Sequence, residues 1–225
     1  MNPESLIQTL QGVGPMLASG LGTTLYVTVL SLVIAMVLGI LVCLMHLSHL
    51  KVLRGIAKFY IWIIRGTPML VQAFYVYFAL PQLFQLLGAT EFRVSVLTAS
   101  ILTLTLNAGA YISEIFRGSI EAVPKGQMEA SRSLGVSYAT SMRKIILPQA
   151  VRICLPSLVN QCIITLEDST ILYAIGLGEI MYQARIYVGR TMESFATYTW
   201  VAVVFLLITS VLMLVSRTVE KRMRA

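Results

Sequence analysis

The chain has 225 residues, of which 57% are apolar and only 12% charged, about half the charge of an ordinary soluble domain. No Asp, Glu, Lys or Arg occurs between Glu4 and Lys51, between Arg65 and Glu91, or between Glu193 and Arg217, and each gap exceeds the roughly 20 residues that cross a hydrocarbon core. These features exclude a soluble globular enzyme or nucleic-acid-binding domain and predict an all-α polytopic membrane protein, with the net charge of +7 arising from bases gathered in the loops on one side of the bilayer.

Five helices are predicted in chain order. The first covers about Thr23 to Leu47 and lacks a basic leader, so it is expected to remain as a span. Ser31, Ala35 and Gly39 recur along it every four residues, a small-residue stripe suited to close helix packing, within one subunit ahead of the alternative of a dimer seam. The second begins near Gly66-Thr67-Pro68, with Thr67 as a candidate cap and Pro68 in the first turn, or earlier near Ile56; it runs to about Leu87 with a bend at Pro81. The third covers about Val94 to Phe116, the fourth starts near Ile145 or Ile153, and the fifth covers about Ser194 to Ser216. The loop after the first span carries Lys51, Arg54, Lys58 and Arg65, the loop after the third carries Arg117, Lys125, Arg132, Arg143 and Lys144, and the tail carries four more bases. The positive-inside rule then puts the N-terminus outside and the C-terminus inside.

Between the third and fourth spans lies a stretch with the chemistry of a helical hairpin. Pro124-Lys125-Gly126 breaks the chain, Glu129 is expected in the first turn of a short helix, Leu134-Gly135 ends it, and Ser137 can cap the next, which Pro148 is expected to interrupt. Val123, Met128, Leu134, Val136 and Met142 are expected to hold the hairpin together.

Polar residues also fall at membrane depth. Only 14 uncharged residues separate Arg152 from Glu167, roughly 21 Å of helix, so Glu167 and Asp168 are expected below the far face, where a carboxylate needs a wet cavity or a partner. Asn160 is expected on the face of Asp168, and Asn107 and Gln72 join them in a candidate translocation pocket. Glu114 is expected to pair with Arg117. Cys43, Cys154 and Cys162 lie in apolar runs without metal-ligand spacing. His46 and His49 stand beside bases without H-E-x-x-H or G-x-S-x-G, and no G-x-x-x-x-G-K-[ST] loop is present. No catalytic or metal site is therefore expected in this chain.

Glu129-Ala130-Ser131, then Gly135, then Ile145-x-Leu147-Pro148 resembles the EAA loop of ATP-binding cassette (ABC) importer permeases, with Ser131 replacing the usual second Ala. RGTPMLVQ at 65–72, NAGAYISEIFRGSI at 107–120 and LEDSTILYAIGLGEI at 166–180 resemble the polar amino-acid branch of that family. The resemblance implies a type I importer fold in a single permease domain over 1–225. Residues 118–148 would form a cytoplasmic coupling loop and 171–195 an external loop. It implies a multi-pass protein of a bacterial inner membrane that binds no cofactor itself, ATP and Mg being held by a separate cassette subunit present in two copies. The further partners implied are a second permease subunit, identical or paralogous, an external solute-binding protein, the amino-acid substrate and the lipid bilayer, with no nucleic acid. Glu129, Ala130, Ser131, Gly135, Leu147 and Pro148 would couple to the cassette. Asp168, Glu167, Asn160, Asn107 and Gln72 would line the path. The family stretch often carries Lys where this chain has Glu167, which favours a cationic or zwitterionic amino acid. The alternative is an ion-coupled carrier or channel working without an ATPase.

Overall fold

A computed structural model describes residues 3–224 and contains helices and no strands among them. Five helices are long and apolar enough to cross a membrane: Leu6–Leu47, Met69–Leu86, Val96–Glu121, Tyr138–Ile175 and Ser194–Leu214. The predicted number of spans therefore holds, but several boundaries move.

Helix α1 runs unbroken over Pro3–Leu47, starting about twenty residues before the expected Thr23. Local propensity argues against helix there, because the segment holds Pro15 and four glycines. Packing overrides it. A Cβ at Gly12 would lie 2.5 Å from the Tyr187 hydroxyl, and one at Gly20 would lie 2.8 Å from the backbone of Ile180. Side chains at those positions would exclude the neighbours that hold the helix. The small-residue stripe seats α4, which spans Val96–Glu121. The Ser31 hydroxyl donates to the Ile101 carbonyl at 3.3 Å, Ala35 packs on Ala108 and Ile112, and Gly39 meets Ile112. The stripe is thus an internal seam, as expected.

Helix α2 covers Lys51–Gly66 and α3 covers Met69–Leu86. Pro68 forces the break between them. It lacks an N–H, and its ring holds Thr67 extended at φ −123°, ψ 143°. Thr67 does not cap α3; its hydroxyl donates backward to the Ile63 carbonyl at 2.8 Å. The bend expected at Pro81 takes the form of a widened π-turn at Tyr75–Ala79 just before it, in which the Leu80 N–H reaches back to the Tyr75 carbonyl.

Helix α4 is capped by Ser95, whose hydroxyl accepts from the Thr98 N–H. The hairpin follows as α5, Lys125–Ser133, then Gly135 at φ +79°, then α6, Tyr138–Ile175, with Ser137 as its cap. Pro148 does not interrupt α6. A π-turn at Met142–Ile146 precedes it and rearranges the carbonyls that a straight ladder would leave facing a residue without a donor. The far end of α6 tightens into a 3₁₀ segment, Ser169–Ile175, and stops at Gly176, φ +92°. Residues 171–195, expected as a loop, contain a 12-residue helix α7, Ile180–Thr191. Its buried Ile180 and Ala184 pack with Val13 and Leu17 of α1. Helix α8 covers Ser194–Arg224, and its Trp200 indole donates to the Leu6 carbonyl at 3.0 Å.

Candidate functional site

Four polar constellations stand out from the apolar body: the hairpin, a polar stripe on α6, an amide pair at the α2–α3 break, and a charge cluster between α2 and α4.

In the hairpin, Val123 at the end of α4 packs on Ile146 and Ala150 of α6, with Met128 and Met142 at the edge. Leu134, expected inside, projects outward with 84% of its surface exposed. The turn has no room for it inside, because the left-handed Gly135 directs the chain back while the Val136 N–H closes onto the Ser131 carbonyl. Glu129 is the fifth residue of α5 rather than part of its first turn, so it cannot serve as that helix's cap. Glu129 and Ala130 are both exposed, and among the described residues the Glu129 carboxylate has no ion pair or hydrogen bond. Ser131 is buried, and its hydroxyl lies 2.5 Å from that of Ser141 on α6. Ser141 gives its own proton to the Ser137 carbonyl at 3.0 Å, so Ser131 is the donor of the pair. The substitution of Ser for Ala is thus a polar joint between the two hairpin helices. Leu147 and Pro148 lie on the exposed side of α6.

Along α6, Ile153, Ser157, Asn160, Ile164 and Glu167 are all exposed, whereas Cys154, Gln161, Thr165 and Leu166 are buried. Spacings of four and three residues put the exposed set in one stripe. Glu167, seven residues from Asn160, shares its face. Asp168 stands roughly 80° away and is half-buried, which corrects the expected pairing of Asn160 with Asp168.

Gln72 and Asn107 meet: the Asn107 amide donates to Gln72 Oε1 at 3.0 Å. Gln72 Nε2 in turn donates to the Ile64 carbonyl at 2.7 Å and the Thr67 carbonyl at 3.0 Å. Gln72 therefore supplies donors to carbonyls that the Pro68 break leaves without helical partners. Gln72 borders a cavity of about 460 Å³ lined also by Ile63, Ile64, Val71, Val76 and Leu106 among others.

The charge cluster gathers residues from three helices. Arg117 donates to both oxygens of Glu114, at 2.9 and 2.8 Å, and to Glu121 at 2.6 Å. The expected Glu114–Arg117 pair is present, joined by two residues that sequence reading did not place there. His46 Nδ1 lies 3.4 Å from Glu114, and Arg65 lies 3.7 Å from it.

At the opposite end of the bundle, Glu179 was missed by sequence reading and is fully buried. Its carboxylate caps α7, accepting from the Met181 and Tyr182 N–H groups at 2.8 and 2.7 Å. Burial outweighs those two bonds and pushes its pKa up to about 7. The signal for it in the sequence was G-x-G-E before an apolar-periodic run, a helix start with an acidic cap.

Comparison with known proteins agrees with this architecture. Residues 31–225 match the family model described as binding-protein-dependent transport system inner membrane component. The chain is 36% identical over 210 residues to the glutamine transport system permease protein GlnP of Escherichia coli, covering 93% of this chain and 94% of that one. It is 35% identical over 211 residues to the arginine transport system permease protein ArtQ of Bacillus subtilis, covering 94% of each. The crystal structure of an amino acid ABC transporter with histidines superposes with a TM-score of 0.88 at 34% identity over 99% of both chains. The chain belongs to the family of binding-protein-dependent transport system inner membrane components, the membrane-spanning permease subunits of bacterial ABC importers.

Proposed function

We propose that this chain forms one half of the translocation path for a polar amino acid, cationic or zwitterionic, and is driven by ATP hydrolysed on a separate cassette subunit. The observation that carries the reading is the hairpin. A compact helix pair ends in an exposed apolar knob, Leu134, beside a carboxylate, Glu129, that its own chain leaves unpaired. A linker between spans needs neither, whereas a handle gripped by another protein needs both a stiff frame and an unsatisfied tip. Glu129, Ala130 and Leu134 meet the cassette, Gly135 sets the reversal, and Ser131, Leu147 and Pro148 carry the displacement into α6. ATP and its magnesium stay on the cassette, of which two copies act per complex, and this chain holds no cofactor and catalyses no step. The hairpin, within residues 118–148, is cytoplasmic, which puts the C-terminus inside and the N-terminus outside.

The exposed stripe of α6 faces a second permease subunit across the path. Asn160 and Glu167 lie on that stripe at membrane depth, where contact with lipid would cost on the order of 3 kcal/mol for the carboxylate, and Asp168 stands beside them. Glu167 and Asp168 give the far end of the path a negative charge that attracts an ammonium group. Gln72 and Asn107 support the wall at the α2–α3 break, and the segment 171–195 seats the external solute-binding protein. Reconstitution in liposomes with the cassette and binding protein tests the reading. ATP-dependent uptake of an amino acid is expected; accumulation by this chain alone would overturn it.

A further inference from the structure

Arg65, the penultimate residue of α2, is held in an unusual way. Its guanidinium stacks over the Tyr111 ring, 5.2 Å from the centroid, and approaches Glu114 to 3.7 Å without a hydrogen bond. Arg117 already occupies both Glu114 oxygens, so Arg65 lends Glu114 its charge at 3.7 Å but none of its hydrogen bonds. Among the described residues none of its guanidinium N–H groups makes a hydrogen bond. Arginine presents five donors in a rigid fork matched to a carboxylate, and here the fork is oriented by stacking while its donors stay unspent. Tyr111 and Glu114 lie ten and seven residues from the end of α4, roughly 10 to 15 Å along the helix. A guanidinium at that depth does not face lipid. Arg65 is nevertheless exposed over 44% of its side chain, which leaves its fork open to a ligand. Ile64 and Thr67, its near neighbours, line the 460 Å³ cavity.

We propose that Arg65, stacked on Tyr111 beside Glu114, is a subsite that binds the α-carboxylate of the travelling amino acid on the hairpin side of the membrane. The proposal rests on the permease reading above and adds the group that recognises the substrate backbone. Charge supports it. Glu114 and Glu121 are balanced by Arg117 and Arg65, with His46 Nδ1 at 3.4 Å from Glu114. A zwitterion whose carboxylate joins Arg65 while its ammonium turns toward Glu114 leaves that balance unchanged. A dicarboxylate would bring an uncompensated negative charge. The subsite therefore favours zwitterionic amino acids over dicarboxylates from the end opposite Glu167.

The test uses the purified complex of this chain with its cassette and permease partner, without the binding protein. Whichever of L-arginine, L-glutamine or L-histidine the reconstituted complex takes up is titrated calorimetrically beside its carboxylate-free counterpart, agmatine, 4-aminobutanamide or histamine. Arg65→Gln is expected to weaken the amino acid by at least about tenfold and to leave the amine unchanged. Arg65→Lys, which keeps the charge but not the fork, should fall between. Equal losses for acid and amine, or no loss for either, would overturn the subsite. So would a wild-type complex that transports with ATP but binds neither compound, and that result leaves the permease reading standing. A wild-type complex without ATP-driven uptake fails the permease reading itself.

Discussion

The two ends of the bundle are fastened in opposite ways. At the hairpin end, α5 is tied to α6 by one hydroxyl pair, Ser131–Ser141, a tight turn at Gly135 and a small apolar patch, and its tip leaves a leucine in solvent. At the far end, α7 is locked into the groove of α1. Gly20 touches the Ile180 backbone, the Ile180 N–H reaches Thr24 Oγ1 at 3.3 Å, and Glu179 closes the helix start from a fully buried position. The far end is held by close backbone approach and a buried cap, as expected of a part that keeps its shape. The hairpin keeps its shape with few contacts and leaves Leu134 and Glu129 exposed.

Substitutions should separate the two kinds of fastening. The largest effect is expected from Gly20→Leu, because the clash is with backbone rather than a movable side chain. It should cost about 3 kcal/mol or more, read as a fall in thermal unfolding temperature in detergent. Glu179 comes next. Its folded pKa of about 7 lies above the ordinary 4.5, so the protonated form is favoured by folding. That stability is fully present below pH 4.5 and is lost as pH rises through 7, by about 3 kcal/mol in all. Unfolding midpoints should therefore fall between pH 5 and 8, and Glu179→Gln should flatten the profile; an unchanged slope would deny the buried carboxyl this role. Ser131→Ala should cost only about 1 kcal/mol, with its effect concentrated in the ratio of solute moved to ATP spent. Leu134→Ser should change stability by less than about 0.5 kcal/mol yet abolish stimulated ATP hydrolysis. If it destabilises instead, the leucine is packed and the contrast between the ends is wrong.

Spans three and five were legible because hydropathy and charge gaps depend on nothing but composition along the chain. Ser95, Ser137 and Gly135 were legible as cap and turn chemistry for the same reason. The pair Glu114–Arg117 could be read from its i, i+3 spacing, but His46 and Arg65 reach Glu114 from helices 68 and 49 residues away in sequence, and no local pattern encodes that meeting. Leu134 was misplaced because an apolar residue beside a turn is ordinarily internal, and only the direction set by the left-handed Gly135 turns it outward. Pro148 looked like a stop because a proline removes one donor; the π-turn before it supplies a local remedy that spacing alone does not reveal.

The order of apolar runs, basic loops and cap residues by itself determined that this chain crosses a membrane five times and carries a helical hairpin, since burial in hydrocarbon and helix-end chemistry act on neighbours in the chain. Tertiary packing alone decided that the glycine-bearing stretch 3–22 is helical, that Gln72 spends its donors on the α2–α3 break, and that Arg65 keeps its donors free. Each of these depends on which distant surface comes within van der Waals or hydrogen-bond reach, a quantity fixed only when the helices are assembled.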